Sequence, residues 1–301
     1  MISLEATSRL LREVFPQHAK YHHPDYLEWE YLRSPSGTVI ESNLDDEQGR
    51  YGHYALVPQR WRVNGKPCTY ALSLNTAVSH RRRGQGVFSR LGTTVVERAR
   101  ESGVRALIGV SNAESTHGMV KSLGFKSFGH LPVVAVLPAS PLRARSFDLG
   151  TEGEMSAWCS EVGSDQGPVA GPQRHWDAQE LSWRMADPAH DYQVLISDRT
   201  LAVVHATSYR GLRVAMIVKV FVREATVKAE ISPIATAACS ALRTPFALYG
   251  GYNPNLRLRG LPVPTRIRPS PLNFIVKPLL EDLEPSDVVP NWFEFLDFDA
   301  Y

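Results

Sequence analysis

Cysteine is scarce in this chain. The three present in 301 residues, Cys68, Cys159 and Cys239, are odd in number and far apart. That excludes a disulfide framework and a cysteine-built metal site. It suits free thiols in a reducing cytoplasm, the location we expect. Excess charge is lacking too: 33 Lys and Arg against 31 Asp and Glu leave a formal net charge of +2. No overall field draws the chain to nucleic acid or to a membrane, and neither is expected as a partner. No apolar run is long enough to span a bilayer. The opening Met-Ile-Ser-Leu-Glu-Ala has no basic stretch leading into an apolar one, so no signal peptide is expected. Metal-ligand spacing is missing as well. His22 and His23 are adjacent, an arrangement that seldom ligates one ion, and no Cys or carboxylate stands at the usual spacing, so no metal is expected. Apolar residues are plentiful, at 43%, enough for a large core or two domains.

The segment Leu74-Asn-Thr-Ala-Val-Ser-His-Arg-Arg-Arg-Gly-Gln-Gly-Val-Phe-Ser-Arg-Leu91 carries the chemistry. A β-type run ends in a basic, glycine-rich turn. A helix follows, with Val87, Leu91, Val95 and Ala99 recurring every four residues on one face. Such a turn presents unpaired backbone N–H groups, and the helix dipole adds positive potential. Both favour a phosphate or pyrophosphate. Glycine lets the ligand approach the backbone closely. A P-loop is excluded, because no Lys-Ser/Thr pair follows the glycines. A dinucleotide site is poorly matched. Gly84-Gln-Gly86-Val-Phe-Ser89 lacks the third glycine, and the nearest acids, Glu97 and Glu101, belong to the helix.

The segment resembles motif A of the GNAT superfamily of N-acetyltransferases, whose pattern is Arg/Gln-x-x-Gly-x-Gly/Ala. Two registers exist: Arg81-x-x-Gly84-x-Gly86 matches literally, and Arg83-x-x-Gly86-x-Phe88 departs at its last position. The second is preferred. It leaves Val78 in the family's usual place, two residues before His80, and its Phe resembles a subgroup reading Arg-Gly-Lys-Gly-Ile-Phe-Thr. Gly103 closes the helix, and Val104 to Val110 reads as a buried strand. Ser111 to Phe125 then resembles motif B, with Asn112 opening a helix that ends in Leu123-Gly124-Phe125. Motif A and motif B at this distance imply one GNAT unit over roughly residues 10–138.

The second half repeats the first in outline. Tyr26-Leu-Glu-Trp-Glu-Tyr-Leu-Arg-Ser-Pro35 compares with Glu180-Leu-Ser-Trp-Arg-Met-Ala-Asp-Pro188. Strand-like runs at Tyr192–Ser197, Leu201–Tyr209 and Leu212–Val222 precede a helix near Ala225–Leu242 and a strand at Pro245–Gly250. Arg223-Glu-Ala-Thr-Val stands where the glycine turn would be. The expected fold is therefore α/β, an α+β mixed-sheet type. It comprises two tandem GNAT-like domains, 1–139 and 143–301, and only the first carries a pyrophosphate loop. Trp29 and Trp183 are expected in cores, and Trp292 to Tyr301 as a final strand.

The resemblance also implies a site. Ala77 and Val78 lie on the strand beside the pantetheine, and the Val78 amide polarises the acyl carbonyl. Gly84, Gln85, Gly86, Val87, Phe88 and Ser89 offer amides to the pyrophosphate, with Arg81, Arg82 and Arg83 at its rim. Asn112 and Ser115 meet the pantetheine arm. The family's usual acid is a Tyr on the motif B helix, where this chain has Met119 and Val120, so His117 is the nearest titratable substitute. His53, Tyr54 and Glu28 are candidate bases. The implied cofactor is acetyl-CoA or another acyl-CoA. The implied partner is a primary amine of a small molecule, such as an amino sugar or biosynthetic intermediate, or else a peptide amine. The rival reading is a non-catalytic acyl-CoA-binding or regulatory protein. Nucleic-acid contact through the arginine run is weaker still, given the near-neutral charge.

Overall fold

The computed structural model describes residues 3–139, 146–162, 171–209, 211–223 and 227–298. Prolines 16 and 24 break the first stretch into α1 (Leu4–Val14), a 3-10 turn at Ala19–His22 and α2 (Tyr26–Leu32). An antiparallel meander follows: β1 (Ile40–Asp46), β2 (Gly49–Val63) and β3 (Lys66–Val78). Asn64 and Gly65, at φ of +51° and +76°, form the tight hairpin between β2 and β3. Then come α3 (Val87–Glu101), β4 (Ala106–Ser111), α4 (Ala113–Leu123), β5 (Lys126–His130) and β6 (Val133–Val136).

The second half begins with β7 (Asp148–Leu149), α5 (Glu152–Val162), β8 (Pro172–Arg174) and α6 (Ala178–Met185). It continues through β9 (Gln193–Ile196), β10 (Thr200–Tyr209), β11 (Leu212–Val222), β12 (Ala229–Glu230), α7 (Ile231–Leu242) and β13 (Ala247–Tyr252). The short β14 (Leu256–Arg257) and β15 (Leu261–Pro262) lead to β16 (Asn273–Pro278) and β17 (Phe293–Glu294).

These strands make two mixed sheets. The first runs β1-β2-β3-β4-β16-β5, with β8 also on β2; the second runs β15-β6-β13-β11-β10-β9-β7, with β17 also on β13. The unit β3–α3–β4, with its strands parallel, recurs as β11–α7–β13, also parallel. The duplicated outline is thus a repeated topology. The expected division into 1–139 and 143–301 cuts neither sheet cleanly. β16, from the second half, lies between β4 and β5, while β6, from the first, lies between β13 and β15. The handover comes at Leu131-Pro132. Leu131 N–H donates to Leu272, but Pro132 has no N–H to give a ladder, and its carbonyl accepts from Gly251 of the second sheet.

On one face of the first sheet, Val87, Leu91 and Val95 of α3 and Met119 and Leu123 of α4 pack on Leu56, Ala71, Leu107 and Ile275. The opposite face is divided. α1 and α2 cover Ala55, Val57 and Ala77. The remainder, including Leu72, Ile108 and Phe274, shares one core with Met216, Val218, Phe293 and Phe295 of the second half. The two Leu-x-Trp segments meet in the α1–α2 layer. Trp29 and Trp183 stack at 5.0 Å, and each indole N–H donates to the other's backbone carbonyl, at 2.8 and 3.1 Å. This is a local two-fold arrangement.

One expectation changes. The final aromatic stretch is not one strand: after β17 it turns at Phe295–Asp297. The turn carries Asp297 to buried Lys219, at 2.6 Å, while Glu294 lies 3.3 Å from the same ammonium. Residues 224–226 of the Arg223 stretch lie outside the described residues. The helix that follows, α7, has Glu230 at its N-cap position, where the carboxylate makes no cap bond and pairs with Arg257 at 3.4 Å.

Candidate active site

The site begins with an irregularity in β3. Its parallel pairing with β4 runs from Tyr70–Ala106 to Ser73–Gly109 and ends there, so the two strands separate beyond that point. Against β2, Ala55 faces Leu74 and His53 faces Ala77, leaving Asn75 and Thr76 opposite Tyr54 alone. This is a β-bulge, and Asn75 adopts φ of +51° to make it. A non-glycine residue there needs support. Tyr21 OH donates to Asn75 Oδ1 at 2.7 Å, and Asn75 Nδ2 donates to Glu30 and to Tyr31 OH at 2.8 and 2.9 Å.

The bulge decides where Val78 points. Ser79 N–H donates to Tyr51 O, and Gly52 faces Val78. Antiparallel residues alternate between bonding the partner strand and pointing away from it. Ser79 and Ala77 bond β2, so the Val78 N–H is directed to the separated edge. Ala77 contributes backbone only, since its methyl is buried under the α1–α2 layer.

The turn lies next in sequence. Gly84 and Gly86 have φ of +74° and +71°, the left-handed region. A Cβ at either would meet no protein atom, so their role within the fold is conformational. Gly86 is the N-cap of α3 and supplies no side chain, and the first helical bond runs from Arg90 N to Gly86 O. The amides of Val87, Phe88 and Ser89 therefore precede the helical ladder. The Val87 side chain is buried beneath them. Phe88 packs against Gly118, where a Cβ would come within 3.1 Å of the ring, so it locks the start of α3 to α4. Gln85 folds back on the turn, its amide donating to Arg81 O at 3.4 Å.

The arginine run divides. Arg81 and Arg82 both grip Asp46, at 2.5 and 2.8 Å, and lie over the Tyr51 ring. Their hydrogen bonds hold the Asp46 carboxyl well below the usual range. They brace the turn rather than line the cleft. Arg83 does line it, and among the described residues no carboxylate pairs with it.

Asn112 is the N-cap of α4: its Oδ1 accepts from both the backbone and the hydroxyl of Ser115, each at 2.8 Å. Asn112, Ser115 and Met119 share one helix face and line the cleft. His117, two residues on from Ser115, is turned away: it is exposed and absent from the lining. The expectation that it replaces the usual Tyr is corrected by this helical phase. The other candidates are also placed elsewhere. His53 is fully buried between Tyr31 OH and Asn43, at 2.8 and 2.6 Å, and burial, with Arg50 nearby, pushes its imidazole down to about 3. Tyr54 is buried with its hydroxyl on Ser73, and Glu28 pairs with Arg33 on the surface.

Val78, Arg83, Phe88, Asn112, Ser115 and Met119 open on one cleft of about 1020 Å³, whose lining does not include Gly84 or Gly86. Val78, Arg83, Phe88, Asn112 and Met119 form its first-half side, joined by His18, Lys20 and Tyr21 from the segment after α1. The second half supplies Thr207, Ser208 and Tyr209 at the end of β10, and Met216, Leu248, Arg268, Phe295 and Phe298. Sequence reasoning missed His18, Arg268 and Asn75. Only Asn75 left a signal, as a residue type disfavoured in strands and tolerant of left-handed backbone. Among the described residues no three His, Cys, Asp or Glu side chains gather as metal ligands, and no helix is long and apolar enough to cross a membrane.

Residues 3–127 match the family model described as an acetyltransferase (GNAT) domain. No curated protein is significantly similar to the chain. Among solved structures, a GCN5-related N-acetyltransferase from Anabaena variabilis shares the fold with a TM-score of 0.60 and 10% identity, over 92% of this chain and 70% of that one. An Enterococcus faecalis protein described as a "probable N-acyltransferase" aligns with TM-score 0.60 and 11% identity, over the same shares. A GCN5-related N-acetyltransferase from Kribbella flavida aligns with TM-score 0.62 and 13% identity, over 91% of this chain and 68% of that one. Residues 3–127 thus match a GNAT acetyltransferase domain, and the chain as a whole shares the fold of these solved structures.

Proposed function

We propose that the protein transfers an acyl group from acyl-coenzyme A, acetyl by default, to a primary amine of a small molecule held between its two halves. The observation that carries this reading is the single cleft lined by Val78, Arg83 and Asn112 on one side and by second-half residues on the other. The donor set fits a diphosphate: left-handed glycines with open space at Cβ, helical amides ahead of the ladder, and Arg83, which no carboxylate pairs with among the described residues. Acyl-coenzyme A supplies the thioester, and its acyl carbon forms a C–N bond to the amine as the C–S bond breaks. The Val78 N–H faces the separated β3 edge, where it can donate to a carbonyl oxygen that gains negative charge. The amine must lose a proton, and the leaving sulfur must take one. His18 is the imidazole lining the cleft, and it is proposed to accept the amine's proton. Pantetheine contact by Asn112 and Ser115 belongs to the same reading, with the Asn112 oxygen committed to the helix cap and its amide group left for the ligand.

Calorimetric titration with acetyl-CoA, longer acyl-CoAs and desulfo-CoA tests this reading. One-to-one micromolar binding is expected, and a flat titration with all three overturns it. The non-catalytic alternative is favoured by one observation, Met119 at the family's Tyr position, its sulfur accepting from Tyr54 OH at 3.5 Å. Thiol release above the protein-free rate with any member of an amine panel excludes that alternative.

A further inference from the structure

The cleft has an unusual charge balance for a site that receives an amine. Glu114 is the single carboxylate in its lining, against the cations Lys20, Arg83 and Arg268. Lys20 sits over the rings of Tyr21 and Tyr26, at 5.4 and 5.6 Å, and Arg83 adjoins the glycine turn. Arg268 is different. It comes from the second half, remote in sequence from every phosphate-loop residue. Its Nε and Nη2 donate to Val263 O at 2.8 and 2.7 Å, and its Nη1 donates to Leu131 O at 2.7 Å. A guanidinium has five N–H donors, so one on each terminal nitrogen remains beyond these three bonds. The backbone carbonyls clamp the plane but bring no negative charge, and among the described residues no carboxylate pairs with Arg268. Burial lowers its pKa, the direction expected of a cation short of a counter-charge. The other second-half walls of the cleft are apolar at Met216, Leu248, Phe295 and Phe298, with the hydroxyl-bearing Thr207, Ser208 and Tyr209 at the end of β10.

A clamped guanidinium in an apolar chamber is suited to one class of guest, a planar anion that accepts a fork of N–H bonds. A polycationic acceptor such as a polyamine would instead meet three cations and one acid. We infer that the acceptor amine carries a carboxylate, received by Arg268, with an apolar body against the second-half wall: an apolar amino acid. This rests on the acyl-transfer reading of the cleft. The amine nitrogen takes the acyl group from the thioester and loses one proton, the thiolate gains one, and the carboxylate is unchanged.

The test compares phenylalanine with phenylalaninamide, phenethylamine and the polyamine spermidine as acceptors, by thiol release from acetyl-CoA. A second readout needs no turnover: calorimetric binding of N-acetylphenylalanine and of its amide in the presence of CoA. At least a tenfold preference for the carboxylated member is expected in both. Arg268→Gln should erase it, Arg268→Lys should keep part of it, and neither should change CoA affinity. Equal use of the amide or of spermidine by the unaltered protein overturns the inference, as does a preference that survives Arg268→Gln. Loss of CoA affinity in Arg268→Gln would assign the side chain to the cofactor's phosphates and overturn it too. If Arg268→Gln does not fold, the two product affinities of the unaltered protein still decide. Failure of the unaltered protein to bind CoA would remove the acyl-transfer reading itself, a separate outcome from binding CoA without carboxylate preference.

Discussion

At the scale of single residues, function hangs on backbone directions as much as on side chains. Gly86 is held at φ of +71° with open space at Cβ. Gly86→Asp should therefore cost only about 1 kcal/mol of stability in the left-handed region. It should weaken CoA binding by on the order of 100-fold, by placing negative charge at the start of α3. Calorimetry alongside circular dichroism separates the two effects, and unchanged affinity would remove the turn from the site. His18→Gln should lower kcat by roughly 100-fold or more, as loss of a general base does, while leaving CoA affinity intact. Steady-state kinetics would contradict the role if only KM rose. The buried histidines carry a stability signature. His53 is pushed down to about 3 and His205 to about 4, both mainly by burial. Below pH 6.5 the unfolded chain takes up protons that the folded chain refuses, so stability present above that pH is lost as pH falls towards these values. Each histidine contributes a slope of up to about 1.4 kcal/mol per pH unit. Denaturant melts between pH 7 and 4.5 should show a shallower slope for His53→Gln.

At the scale of elements, the two Leu-x-Trp helices illustrate what periodicity can and cannot say. The likeness of the two segments was legible, and so was the burial of their tryptophans. Their reciprocal pairing was not, because residues 29 and 183 are 154 positions apart and no local pattern encodes a contact at that distance. The indoles share stacking and two hydrogen bonds, so their deletions should not add. A double-mutant cycle of Trp29→Phe and Trp183→Phe is expected to give a coupling energy of about 1–2 kcal/mol by chemical denaturation. Strict additivity would mean the two contacts are energetically independent. The same limit explains the final aromatic stretch. Its alternation reads as a strand, but the buried ion pairs of Glu294 and Asp297 with Lys219 turn it after two residues.

At the scale of the whole molecule, the halves are not separable modules. β6 and β16 are exchanged between sheets, and the largest buried cluster spans both. A fragment ending at residue 139 would lack β16, exposing the ladder edges of β4 and β5 and the apolar face of Leu72, Ile108 and Val133. The expected outcome is no cooperative thermal transition for residues 1–139 alone. A sharp transition near that of the full chain would show that the exchange is dispensable. The exchange also bears on the site. It packs the second half against a face of the first sheet, and so builds the far wall of the cleft.

The sequence by itself determined the glycine-rich turn, the helix that follows it, the Asn112 cap and the repeat of the strand–helix–strand unit. Each is a local matter: glycine permits a left-handed backbone, an asparagine oxygen reaches an amide three residues on, and apolar spacing sets a helix face. Only the tertiary structure decided that Arg81 and Arg82 belong to Asp46, that His117 faces away, and that His18 and Arg268 meet one cleft. Those outcomes depend on which strands pair across long loops and on the exact phase of a helix over its sheet. Such global packing is written in no single stretch of residues.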